Sequence, residues 1–235
     1  MSSAFFFASV PILNDALAEI CSQSMGQNCI GVERFLVHSS LYEEFMAEMS
    51  ERVRKLRLGS VLSSSAEGFV SVVDGGSMIN DTQFGELQRL ITAAESQGAS
   101  MVCGGTPWRN PYLENGAYFH PTLLGNVNEQ MEIAQREGPC LILVCPALVF
   151  MKALRPVFGP IMLVMKYDTV DEAIQIANGL RYGLGASIFG PDHRQCREIA
   201  MSLECGMVSI NDFGVYYVRY YPPLAANDTN PTSSL

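Results

Sequence analysis

Positive charge is scarce in this sequence. Fifteen Lys and Arg stand against 24 Asp and Glu, a formal net charge of −9 over 235 residues. Nucleic acid and anionic membrane surfaces attract clustered Lys and Arg, so neither is expected as a partner. Histidine is as sparse, with His38, His120 and His193 alone. Cys140 and Cys145 sit in an apolar run without a second pair at zinc-ligand spacing, so no metal is expected. Long hydrophobic segments are also missing. The longest run, LILVCPALVFM at 141–151, contains Pro146 and falls short of the roughly 20 residues a bilayer requires. The opening MSSAFFFASVPIL has an apolar patch but no basic residues ahead of it, unlike a signal peptide. Seven cysteines, an odd number at irregular spacing, read as reduced thiols in a cytoplasmic setting rather than a disulfide framework.

What is present is apolar. The chain is 48% hydrophobic and 17% charged, enough for a core in one large domain or two small ones. Helix and strand signals alternate. Helices are expected over 12–24, from Leu41 to Leu58 with Ser39 and Ser40 as caps, and from Asp81 or Thr82 to Gly98. Strands are expected at Ile30–Val37, at Ser100–Cys103 and along YFHPTLL, with Ile161–Met165 buried on both faces. Thr169 to Glu172 reads as a capping box opening a helix through Asn178. Leu184–Phe189 is a strand, Pro191 opens a further helix ended by Gly206, and Met207–Asn211 is a last strand. This alternation predicts a three-layer αβα domain with a mainly parallel sheet.

Four segments carry more than the pattern. SMGQNCIGVERFLVH, ENGAYFHPTLLGNV, VFGPIMLVMKYDTVDEAIQIANGLRYGLGASIFG and GMVSINDFG together resemble the catalytic domain of aldehyde dehydrogenases, in that family's order. The Gly-Gln-Asn-Cys form with GVERF after it is similar to a fungal and plant branch. The resemblance covers residues 10–217 and places the chain as one partial catalytic domain, 1–217, incomplete at both ends. It implies that Cys29 is the nucleophile. A thiolate adds to an aldehyde carbon, hydride leaves to a nicotinamide, and water hydrolyses the resulting thioester. The turn before Cys29 would aim its backbone N–H at the oxyanion. NAD or NADP is the implied cofactor, a small aldehyde the implied substrate, and a homo-oligomer the implied assembly. Without the resemblance Cys29 reads equally as a small buried residue; Cys21, Cys103, Cys196 and Cys205, each in or beside a helix or strand pattern, read as core thiols.

The family's next signature is Glu-(apolar)-Phe-Gly-Pro, whose Glu holds the nicotinamide ribose and whose Phe packs beside it. Here VFGPI supplies Phe158, but Pro156 stands where the Glu belongs, and Glu137 ends MEIAQRE upstream. Removing residues 138–156 restores the match, so these residues are expected to be an insertion. Codons allowed at Gly138 and at Pro156–Val157 can supply an intron's GT start and AG end, and a retained intron is the expected cause. The competing reading is a real insertion forming a surface helix, which would expose an apolar patch. Residues 218–235 depart from the family and read as a disordered tail.

The resemblance also implies a dinucleotide-binding domain, an oxyanion asparagine and a general-base glutamate ahead of residue 1. The glycines at 75–77 and 104–106 are isolated turns, not a pyrophosphate loop. The chain is therefore expected to be inactive alone. Two other readings are a non-catalytic fragment that pairs with an intact relative and a thiol esterase built on Cys29. Glu33 and Arg34 read as a strand-edge charge pair, the Arg structural by resemblance. Asn211 reads as a brace for the cysteine loop or as a turn cap. His38 and His120 read as loop residues, His193 and the run 51–57 as helix surface.

Overall fold

The computed structural model describes residues 3–7, 23–28, 31–60, 73–111, 116–136, 158–180 and 183–212. Strands β1 (Ser3–Phe7), β2 (Val32–His38), β3 (Ser100–Cys103), β6 (Thr122–Gly125), β7 (Ile161–Tyr167), β8 (Gly185–Phe189) and β9 (Met207–Ile210) form one sheet in the order β3-β6-β7-β2-β1-β8-β9. Only β3 runs antiparallel, to β6. A hairpin of β4 (Pro107–Trp108) and β5 (Tyr118–Phe119) stands apart.

Helix α1 (Tyr42–Lys55) covers one face, packing Phe45 and Met49 on Phe35, Val37, Met162 and Val164. Helices α2 (Phe84–Ser96), α4 (Val170–Asn178) and α5 (His193–Ser202) cover the other, with Leu87, Ile91, Ala173 and Ile199 on Leu36, Leu163 and Met165. A short α3 (Glu132–Gln135) joins that layer. This is the three-layer α/β architecture expected. β7 serves both cores: Met162 and Val164 face one, Leu163 and Met165 the other, which is why its sequence is apolar without alternation.

The structure corrects several expectations. The N-terminal apolar patch is a central strand, β1, between β2 and β8. The helix expected over 12–24 lies outside the described residues except for Gln23 and Ser24, which open a tight turn, Gln23–Gly26. Helix α1 stops at Lys55, short of Leu58, because the next residues pair with 73–75. Leu58 bridges Gly75, and the Arg57 guanidinium donates to both Asp74 carboxylate oxygens at 2.7 and 3.0 Å. Ser39 and Ser40 do not cap α1; Ser40 is engaged with the His38 ring, 2.8 Å away. His38 itself closes β2 rather than sitting in a loop. Pro191 lies before α5, which is capped by Asp192, whose carboxylate accepts from the N–H groups of Arg194 and Gln195 at 2.9 and 3.1 Å. At α4 the capping box is shifted: Thr169 Oγ1 accepts from Glu172 N–H, while the Glu172 carboxylate accepts from Asp168 N–H at 2.8 Å. The run 51–57 is the solvated face expected, with Arg52–Glu48 and Lys55–Glu51 pairs one turn apart.

Among the described residues no helix is long and apolar enough to cross a membrane. Among the same residues no group of three His, Cys, Asp or Glu side chains is placed to hold a metal ion.

Candidate active site

Two segments meet at the edge of the α2 face. The first is the turn that carries Gly26, Gln27 and Asn28. Ser24, Met25 and Gly26 all have positive φ, at 52°, 53° and 69°, so the chain reverses tightly here. Met25 is buried and anchors the turn, and the Gln27 N–H bonds the Ser24 carbonyl at 3.0 Å. A second turn follows, closed by the Gly31 N–H on the Asn28 carbonyl at 2.9 Å. Cys29 lies inside that turn in sequence but outside the described residues.

The second segment is Phe158–Gly159–Pro160. Its backbone touches the first: a Cβ built on Gly26 would lie 1.9 Å from the Gly159 carbonyl oxygen. No side chain fits there, so glycine is required both by φ and by the approach. Gly159 is closed on its other side by Leu87 of α2, 2.7 Å from where its own Cβ would stand. Phe158 is half-buried, and its N–H donates to Gln83 Oε1 at 3.0 Å. The Pro160 carbonyl accepts from Thr122 N–H at 2.7 Å, tying the segment to the start of β6.

Below the segment is a cavity of about 30 Å³, with room for a water molecule. Its walls include Glu33, Arg136, Leu87, Ile133, Gly159 and Leu163. Glu137 is outside the described residues, but Arg136, its neighbour, stands in the same cavity wall as Gly159. Arg136 is held by Glu86 at 2.6 Å and Glu132 at 2.5 Å; Arg89 bridges the same two carboxylates at 2.8 and 2.9 Å. The four side chains close a ring between α2 and α3.

Glu33 and Arg34 are not a strand-edge pair. β2 lies inside the sheet, between β7 and β1, and two β2 residues, Val32 and Arg34, oppose consecutive β1 residues across a bulge at Glu33. Loss of water pushes the half-buried Glu33 carboxyl up to about 7, and nearby positive charge, Arg34 included, offsets that only in part. Arg34 is 2% exposed and donates to the carbonyls of Ile176 and Ala177 at the end of α4, at 3.2 and 3.4 Å. Burial lowers its guanidinium to about 10, with Glu33 opposing the fall. No local signal assigns Glu33 a role; its place on an inner strand is visible only in the sheet order.

Asn211 matches neither of its readings among the described residues: it caps no turn, and Cys29 lies outside them. It has φ 54°, and its carboxamide pairs with both backbone groups of Gly190, at 2.8 and 2.9 Å, fastening the ends of β8 and β9. Cys103 and Cys205 are half-buried and Cys196 is buried, and burial raises all three thiols. None has the lowered thiol pKa of a reactive cysteine.

A model of the aldehyde dehydrogenase family matches residues 12–147 and 150–222. The chain belongs to the aldehyde dehydrogenase family. An aldehyde dehydrogenase-like protein of Saccharomyces cerevisiae is 38% identical over 214 residues, covering 88% of this chain and 30% of the relative. One from Schizosaccharomyces pombe is 37% identical over 200 residues, covering 85% and 33%. The chain thus spans about a third of the length of these curated relatives. The crystal structure of betaine aldehyde dehydrogenase from Staphylococcus aureus in complex with NAD+ superposes with a TM-score of 0.73 at 28% identity, over 90% of this chain and 37% of that one. The two contacting segments are the ones whose sequences resemble the family's Gly-Gln-x-Cys and Glu-(apolar)-Phe-Gly-Pro motifs.

Proposed function

We propose that this chain is the cysteine-bearing part of the catalytic domain of an NAD(P)-dependent aldehyde dehydrogenase. The observation that carries the reading is the backbone contact of Gly26 with Gly159. It joins the turn that leads into Cys29 to the loop that presents Phe158, segments more than a hundred residues apart in sequence.

Cys29 would supply the thiolate that bonds to the aldehyde carbon, and the N–H groups of its turn would face the oxyanion. NAD(P), when bound, supplies the hydride acceptor. The fit to a nicotinamide nucleotide is supported by the family resemblance of the two segments, which the close approach of Gly26 to Gly159 packs together, and by a half-buried Phe158 on the second of them. Glu137 would hold the ribose from its place next to Arg136. A non-catalytic fragment that pairs with an intact relative is the alternative, and a cytoplasmic location and a homo-oligomer belong to the same proposal.

Alkylation tests the nucleophile. Iodoacetamide at neutral pH labels Cys29 at least tenfold faster than Cys103, Cys196 and Cys205, as read by peptide mass spectrometry. Equal rates at all four would leave Cys29 an inert thiol. Residues 138–156 are proposed to be dispensable, since Arg136 and Gly159 already share one cavity wall. A chain with Glu137 joined to Val157 keeps its fold by circular dichroism; loss of the fold would show the stretch to be structural.

A further inference from the structure

The cysteine turn and the Phe158 loop are both pegged to a third segment, residues 79–83. The Ile79 N–H donates to Gln27 Oε1 at 3.1 Å, across 52 residues of sequence. The Phe158 N–H donates to Gln83 Oε1 at 3.0 Å, across 75. One carboxamide thus reaches out of the cysteine turn to this segment, and another reaches out of this segment to the Phe158 loop.

Gln83 occupies the N-cap of α2, where a short Ser, Thr, Asp or Asn side chain would satisfy the helix's own first N–H groups. Its side chain makes no cap bond. The helix start is instead organised by Asn80, whose Oδ1 accepts from Thr82 N–H at 3.1 Å, and by Phe84 N–H on the Asp81 carbonyl at 3.0 Å. The Gln83 carboxamide instead serves another partner. That partner is a backbone N–H two residues before Pro160, which itself has no N–H to give. The next turn of α2 places Leu87 against Gly159, so one helix end fixes Phe158 by a hydrogen bond and Gly159 by packing.

We propose that Gln83 is a positioning residue for Phe158. With Gln27 it ties the turn that leads into Cys29 and the Phe158 loop to the single segment 79–83. The consequence for chemistry rests on Phe158 facing the cofactor. The positioning itself does not.

Amide hydrogen exchange on the 15N-labelled full chain tests it. Gln83→Leu keeps the side-chain bulk and removes the acceptor, and it raises exchange at Phe158 at least tenfold. Gln83→Glu keeps an acceptor oxygen at the same reach and holds the rate within threefold of the unsubstituted chain. If Gln83→Leu does not fold, Gln83→Ser, too short to reach Phe158, takes its place. Gln27→Leu raises exchange at Ile79 by a similar factor. Unchanged exchange at Phe158 in the Leu or Ser variant overturns the proposal, as does loss of protection in the Glu variant equal to that in the Leu variant. Nicotinamide mononucleotide is titrated in parallel. A shift of the Phe158 ring signals supports the cofactor reading; no shift overturns that reading and leaves the positioning result standing.

Discussion

Two groups of charges each send one member, Arg136 or Glu33, to the same cavity, and the fold treats the groups in opposite ways. Glu86, Arg89, Glu132 and Arg136 form a closed ring on the surface, each charge answered twice by the other sign. The hydrogen bond from Arg89 comes first among the causes that hold the Glu86 and Glu132 carboxyls below their ordinary range. Glu33 and Arg34 are neighbours inside the sheet, and each is pushed toward its neutral form by loss of water. Surface ion pairs contribute little to stability, because water screens them and ordering long side chains costs entropy. A buried charge stays costly unless it is paired, so removing what answers it has a large effect. The first group is therefore thermodynamically mild and the second is not.

Arg34 separates the two groups most sharply. Arg34→Met keeps an unbranched chain of similar length but leaves the Ile176 and Ala177 carbonyls without their donor. Leaving buried polar groups unanswered costs about 3 kcal/mol. Urea unfolding should show a loss of that order; a loss comparable to that of a surface-ring substitution would erase the distinction.

Glu33 comes next and carries a pH signature. Its carboxyl is raised from 4.5 to about 7 in the folded chain, so the folded state holds the proton more tightly than the unfolded one. Stability is then highest below about pH 4.5 and declines as pH rises to 7, where the carboxyl ionises in its half-buried place. The decline is at most about 3 kcal/mol, since each tenfold difference in proton affinity between the folded and unfolded chain is worth about 1.4 kcal/mol. Glu33→Gln does not titrate. Relative to the unsubstituted chain it should be near neutral at about pH 4.5 and stabilising at about pH 8, read from urea midpoints at the two values. A pH-independent difference would mean that Glu33 is not desolvated.

Local pattern made the layers readable and hid the charge groups. β7 was legible because five consecutive apolar residues, Ile161–Met165, suit only a strand covered on both sides. Helix α2 was legible from Leu87, Leu90, Ile91 and Ala94 on one stripe. Strand β1 was not, because SAFFF before a proline resembles a terminal apolar patch until β2 and β8 are seen to flank it. Glu33 looked like an edge charge for the same reason: strand order is a long-range property. The bonds of Gln27 and Gln83 cross 52 and 75 residues and leave no local trace. The roles of Cys29, Glu137 and Phe158 came from family resemblance, since spacing alone left Cys29 as readily a buried thiol.

Asp192 is an intermediate case, a charge answered by backbone rather than by another charge. Asp192→Ala removes the acceptor for two N–H groups at the start of α5 and should cost about 1 kcal/mol. Asp192→Asn keeps a capping oxygen and should recover most of that loss, so urea midpoints of the two variants separate hydrogen bonding from charge.

The surface ring should yield least. Glu132→Gln breaks the ring at the carboxylate shared by Arg89 and Arg136, yet Glu86 still answers both guanidiniums. The expected cost is below about 1 kcal/mol at low salt. At about 1 M salt the Debye length falls to about 3 Å, and the difference from the unsubstituted chain should shrink further. Urea midpoints at the two salt concentrations measure it. A cost above about 2 kcal/mol that persists at high salt would place this group with Arg34 and Glu33. The ring would then be holding α3, and with it the approach to Glu137, by packing rather than by charge.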